Sequence, residues 1–208
     1  MDMSVRGSLR EGWAALRPAS AGRDARLGRR VGGFTMVELM VTLGVVAILV
    51  VVAVPSFKNM IISNKLTTAA NDVVTALNVA RMEAIKRNGS TGFCSDSATN
   101  NTSDTLGSAC TQNGVVQTGA VYVLTSGTNT NPVRGMVVGI TSPLKLNSSM
   151  IALRYNGTGL ARKAGDTSVY DGQIADICTS AISSYNHRTI KMAAGSILVT
   201  DASSGACP

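Results

Sequence analysis

The stretch Gly32-Gly-Phe-Thr-Met-Val-Glu-Leu-Met-Val-Thr-Leu-Gly-Val-Val-Ala-Ile-Leu-Val-Val-Val-Ala-Val-Pro55 decides how the rest of the chain is read. Between Phe34 and Val54 only Thr35, Glu38 and Thr42 are polar. A helix over 34–54, rising about 1.5 Å per residue, covers roughly 30 Å, the thickness of a bilayer's hydrocarbon core. The stretch therefore predicts one membrane-spanning helix. Its single carboxylate, Glu38, lies near the start of the span. A charge deep in such a span costs about 2.5–3.5 kcal/mol on insertion scales, so a carboxylate there asks for a partner. Position alone leaves two readings: an interfacial carboxylate in an ordinary anchor, or a group kept for a specific pairing.

Upstream, residues 1–33 carry Arg6, Arg10, Arg17, Arg23, Arg26, Arg29 and Arg30 against Asp2, Glu11 and Asp24, a net charge of +4. A basic segment beside a span stays on the cytoplasmic side, which sends the C-terminal bulk outward. A nucleic-acid-binding tail shares this composition, but its place next to a span favours a topogenic role. The whole chain is +7, so about +3 remains without the leader. The basic balance is then weak ground for a nucleic-acid partner.

Downstream, Ile62, Leu66, Ala69, Val73, Leu77, Ala80 and Ala84 recur every three or four residues, the stripe of an amphipathic helix over 55–88. Asn88-Gly89 supplies a stop, with glycine expected to take the left-handed position. Pro55 removes one backbone donor and is expected to bend the rod. One helix from about Phe34 to Arg87 would be roughly 80 Å long, its first half apolar all round and its second half on one stripe.

Gly33-Phe-Thr-Met-Val-Glu38 after a basic leader resembles the processing signal of type IV pilins and their relatives. The resemblance implies cleavage by a membrane peptidase between Gly33 and Phe34 and N-methylation of Phe34. It also implies an assembly role for Glu38, the fifth residue after the cut, and a helix kink at Pro55. The apolar run stays on the mature protein, unlike an ordinary secretory signal. Ala80-Arg-Met-Glu-Ala-Ile-Lys-Arg-Asn88 is similar to the signature of the GspH/FimT branch, the minor pilins and pseudopilins. Charge composition alone fits a solvated helix end equally well. The likeness is weaker at Cys94, Ile151–Leu160 and the run from Cys178 through Arg188-Thr-Ile190 to Cys207. The implied fold is α+β, a long N-terminal helix packed on an antiparallel β-sheet domain. The implied partners are other pilins or pseudopilins, the prepilin peptidase, an inner-membrane assembly platform and the lipid bilayer. The implied location is the bacterial inner membrane, single-pass, with the C-terminal domain periplasmic, and then the filament.

Residues 89–208 are sparse in charge and rich in Gly, Ser, Thr and Asn. β-rich runs recur at Thr91–Ser95, Gly119–Thr125, Gly135–Ile140, Met150–Tyr155, Val169–Cys178, Arg188–Met192 and Ser196–Thr200. Turn clusters at Asn129–Pro132 and Asn156–Gly159 separate them. Ser95–Asn113 is polar and reads as a surface loop. Cys94, Cys110, Cys178 and Cys207 all follow the span, and an even number in an exported domain argues for disulfides. Four cysteines allow three connectivities. Cys94–Cys110, which brackets the polar loop, and Cys178–Cys207 are expected, with loss of Cys207 the costlier because it frees the terminus.

No Cys-x-x-Cys pair is present, so neither a metal nor another cofactor is expected. His187, the single histidine, is read as a surface residue in a polar turn, and Asp166, Asp171 and Asp176 as solvated loop acids. Nothing points to an enzyme. Some members of the branch are DNA receptors with a Gly-Arg-x-Arg element near the C-terminus, but the matching positions here are Gly195-Ser-Ile-Leu198. A weak DNA patch remains conceivable from Arg154, Arg162, Lys163, Arg188 and Lys191 if their strands adjoin. The sequence thus reads as a minor pilin helping to prime pilus assembly, with a type II secretion pseudopilin and a DNA-uptake pilin as alternatives.

Overall fold

The computed structural model describes residues 33–101 and 104–208. Apart from Gly33, the basic leader lies outside the described residues. The chain divides into two compact units, one ending at Gly44 and the other spanning Val45–Pro208. Helix α1 (Met36–Arg87) contributes to both.

In the first unit, Thr35 caps the helix. Its Oγ1 accepts from the Glu38 amide at 3.2 Å and its carbonyl from the Leu39 amide at 3.1 Å. A threonine three residues before a glutamate is the spacing of a capping box, and the positive end of the helix favours the carboxylate. Every described residue of this unit is exposed.

In the second unit, α1 continues through Pro55 and stays largely uncovered as far as Ile61. From there one stripe is buried: Leu66, Ala69, Ala70, Val73, Ala76, Leu77, Ala80 and Ala84. Five of those eight are alanines, which let the helix backbone approach the sheets closely. The helix closes on a paired carbonyl-capping motif. The Asn88 amide donates to the Ile85 carbonyl (3.1 Å) and the Gly89 amide to the Ala84 carbonyl (3.0 Å). The left-handed residue is Asn88, at φ 45°, and not the expected Gly89.

The remaining elements are strands β1 (Thr91–Phe93), β2 (Thr111–Gln112), β3 (Val115–Val116), β4 (Val121–Ser126), β5 (Asn129–Arg134), β6 (Leu144–Leu146), β7 (Leu153–Tyr155), β8 (Ala161–Lys163), β9 (Gly172–Thr179), β10 (His187–Ala193) and β11 (Ile197–Ser203). Short helices α2 (Ala98–Asn101) and α3 (Thr105–Ala109) lie between β1 and β2. The antiparallel strands form a five-stranded sheet ordered β5-β4-β1-β7-β8, a four-stranded sheet ordered β11-β10-β9-β6, and a β2-β3 ribbon. The α1 stripe shares one core with Phe93, Val121, Leu153 and Tyr155 of the first sheet and Ile174, Ile177, Ile190 and Met192 of the second. A smaller cluster joins Cys94, Cys110, Leu106, Ala120 and Tyr122.

Three expectations are corrected. Asn129–Pro132 is not a turn but most of edge strand β5. Pro132 lacks an amide donor, and an edge strand tolerates that. Gly135–Ile140 forms no strand. Its Val137 amide donates to the Thr118 carbonyl, while Met136 and Val138 face solvent, so its alternating pattern has no ladder to join. Ser95–Asn113 is not a plain surface loop. It holds α2, α3 and β2, and buries Asn101 and Leu106. Its polar side chains satisfy one another: Asn101 Oδ1 accepts from the Ser95 amide (2.7 Å), and Asp104 Oδ1 caps α3 from the Gly107 amide (2.7 Å). Polarity here signals internal pairing as well as solvation.

The turn over Asn156–Gly159 has Asn156 Oδ1 accepting from the Thr158 and Leu160 amides, and Gly159 takes φ 78°. A Cβ on Gly159 would lie 2.7 Å from Ile85 Cδ1, so the glycine lets the β7–β8 turn close against the end of α1.

Candidate functional site

Among the described residues the apolar helix leaves a long hydrophobic surface uncovered. Phe34 is 79% exposed, and Leu39, Ile48, Val51, Phe57 and Met60 are each more than half exposed. Helix α1 is long and apolar enough to cross a membrane. Burying each such side chain is worth roughly 1.5–3 kcal/mol, so a surface of this size demands lipid or other helices as its surroundings. Gly33 has open space around its Cα. Glu38 is exposed on the same first turn that Thr35 caps.

The nine-residue run Ala80–Asn88 turns out to be several devices. Ala80 and Ala84 face the core. Arg81 Nη1 donates to the Ser196 carbonyl at 3.2 Å, tying the helix to the loop before β11. Glu83 meets Arg87 at 2.7 Å and Lys86 at 3.5 Å. The Arg87 hydrogen bond holds the Glu83 carboxyl below its usual range.

Disulfides join Cys94 to Cys110 and Cys178 to Cys207. The second fastens the C-terminal tail over the outer face of the β10–β9 pair, and that changes the reading of His187. This residue is not a surface side chain in a turn: it opens β10, is 5% exposed, and stands opposite Cys178 and Ser203. Its Nδ1 lies 3.0 and 3.2 Å from the two Asp176 carboxylate oxygens. Asp176 is likewise no solvated loop acid. It sits in β9, is 6% exposed, and also accepts from Asn147 Nδ2 (2.8 Å) and Thr189 Oγ1 (3.3 Å). Asn186 and Gly205 exchange two hydrogen bonds that lay the tail across the His187 ring. A Cβ at Gly205 would stand 3.2 Å from Nε2, so only glycine fits this approach without a shift. Asp166 and Asp171 do lie at the surface. Hydrogen bonds from Ser168 hold the Asp166 carboxyl below its ordinary value. Nothing in the sequence around His187 marks its burial, because the cover comes from the far end of the chain.

The five cations considered for DNA are divided between the two sheets. Arg154 and Arg162 are cross-strand partners on β7 and β8, with Lys163 beside them, whereas Arg188 and Lys191 lie on β10 in the other sheet. Arg154 is bound twice to Asp104 at 2.8 Å, and Lys191 to Asp201 at 2.9 Å. Arg188 donates to the Tyr185 and His187 carbonyls. Arg162, Lys163 and Arg188 have no ion-pair partner among the described residues. Among the described residues, no three His, Cys, Asp or Glu side chains converge as a metal site.

The prokaryotic N-terminal methylation motif matches residues 28–54, which include Gly33, Phe34 and Glu38. The family model described as type II transport protein GspH matches residues 69–196, from the buried stripe of α1 to the threshold of β11. The chain belongs to the GspH family. Its members are pilins or pseudopilins of type IV pili or type II secretion systems, structural proteins in kind. The chain therefore joins an apolar helix suited to assembly with other pilins to a two-sheet domain set against the helix's second half. No curated protein and no solved structure matches it.

Proposed function

We propose that this protein is a minor type IV pilin, held as a single-pass prepilin in the bacterial inner membrane with its β domain periplasmic, and built into the pilus to help prime assembly. The observation that carries the reading is the bare apolar helix behind the methylation motif. The peptidase cuts between Gly33 and Phe34, and Phe34 is then N-methylated. The cut frees an amine at Phe34, four residues before Glu38, the last residue of the Thr35–Glu38 capping turn. In the low dielectric of a helix bundle, that amine on the same or a neighbouring chain attracts the Glu38 carboxylate far more strongly than in water, although desolvation offsets much of the gain.

N-terminal sequencing of the membrane-fraction protein should return Phe34 as the first residue, and any other start refutes the processing step. Glu38→Ala should leave export and cleavage intact while lowering recovery in sheared pili. Normal incorporation would rule out the pairing. A type II secretion pseudopilin is the second reading, favoured by the family description. Deleting the gene separates the two: the first expects loss of surface pili, the second loss of secreted enzymes with pili unchanged.

A further inference from the structure

We infer that before assembly the β domain rests on the membrane through the loop 182–185, whose partner is the anionic headgroup layer of the leaflet into which α1 emerges. This rests on the anchored-prepilin reading and adds a second contact to it.

The argument begins where the apolar span ends, at Val54. Phe57 lies about 4.5 Å and Met60 about 9 Å further along the helix axis. The headgroup layer is roughly 5–8 Å deep on each side of the hydrocarbon core. Both side chains are more than 60% exposed. The domain begins to cover α1 at Ile62, about 12 Å past Val54, and its lower edge reaches down to Asn59, about 7.5 Å past Val54, at the outer margin of that layer. At that edge Asn59, Met60 and Ser63 and the loop Ile182–Tyr185 line a groove of about 360 Å³.

The loop is held for display. Tyr185 takes φ 49°, uncommon for a bulky residue, and is 64% exposed. Its amide donates to Ser204 Oγ (2.7 Å) and its carbonyl accepts from Arg188 Nη1 (2.7 Å). Arg188 also reaches Ser63 Oγ at 3.4 Å, which ties the loop to α1. An amphipathic ring presented at this height is the kind of side chain that gathers at membrane interfaces.

Charge selects the lipid. Between Glu38 and Asp72 the helix carries only Lys58 and Lys65, and neither of these nor Arg188 has a carboxylate partner among the described residues. Lys58 stands about 6 Å past Val54, in the headgroup plane. Cations next to a membrane surface are attracted to anionic phospholipid.

The test uses the full chain, processed in membranes and reconstituted into vesicles. Trp13, its single tryptophan, precedes the cut. Single probes Phe57→Trp, Tyr185→Trp and Val115→Trp, each with Trp13→Phe, are read by quenching from lipids brominated high on the acyl chain. In phosphatidylglycerol vesicles Phe57→Trp and Tyr185→Trp are quenched and Val115→Trp is not. The Tyr185 signal weakens in pure phosphatidylcholine and at high salt. A Tyr185 probe as unquenched as Val115, beside a quenched Phe57 probe, overturns the docking and leaves the anchor standing. An unquenched Phe57 probe overturns the anchored-prepilin reading itself. Equal Tyr185 quenching in both lipids overturns the anionic headgroup as partner.

Discussion

Removing the two disulfides one at a time should reverse the order that loop length dictates. The bridges close separations of 16 and 29 residues. In the chain-entropy account these are worth about 3 and about 3.5 kcal/mol, so loop length alone makes Cys178–Cys207 the costlier loss by roughly 0.5 kcal/mol. Burial opposes this. Cys94 and Cys110 are both fully buried beside Leu106 and Tyr122. Cys94→Ser/Cys110→Ser therefore strands two hydroxyls in an apolar cluster, each costing about 1–3 kcal/mol if unpaired. In the other bridge Cys178 is buried and Cys207 is partly exposed, so Cys178→Ser/Cys207→Ser strands one. The first pair should be the more destabilising by about 0.5–2.5 kcal/mol. Denaturant unfolding of the detergent-solubilised chain, followed by circular dichroism, measures both. The matching Ala pairs leave no hydroxyl and isolate the burial effect, so the gap between the two bridges should narrow. Serine pairs in loop-length order, or Ala pairs with the same gap as Ser pairs, would refute the reasoning.

The buried pair of β9 and β10 is tested by a double-mutant cycle. His187→Gln should cost roughly 1.5–3 kcal/mol, the worth of a hydrogen bond to a charged group, with a coupling to Asp176→Asn above about 0.5 kcal/mol. Additive costs would show that the contact contributes nothing specific. Glu83 titrates below its ordinary value of 4.5 because of Arg87, so its stabilising contribution is complete above about pH 4.5 and is lost as pH falls through the lowered value. The Tm advantage of wild type over Glu83→Gln should therefore shrink between pH 6 and pH 3, and a constant difference contradicts the assignment. Duplex DNA should bind only in the non-specific range of about 10⁻⁴–10⁻⁶ M at physiological salt, because the cations are divided between two sheets. Sub-micromolar binding that collapses in Arg162→Ala/Lys163→Ala would show that a patch exists after all.

What the sequence determined by itself is whatever depends on near neighbours along the chain. The apolar run, the carboxylate near its start, the stripe from Leu66 to Ala84 and the Asn156–Gly159 turn all follow from composition and period within a few turns of backbone. Even there the left-handed residue closing α1 was expected at Gly89 and is Asn88, because both can take that conformation.

Tertiary structure decided whatever depends on a partner distant in sequence. Asn129–Arg134 is a strand because the edge of β4 is there to receive it, while Gly135–Ile140 has a strand's alternation and no edge to join. The polar segment after Cys94 folds because its carboxylates and amides find one another and Arg154, and no hydrophobic period announces that. His187 and Asp176 look like solvent-facing residues until the tail, fastened at Cys207, is laid across them. Burial is a property of what arrives from elsewhere in the chain, and for these two residues it arrives from the last few.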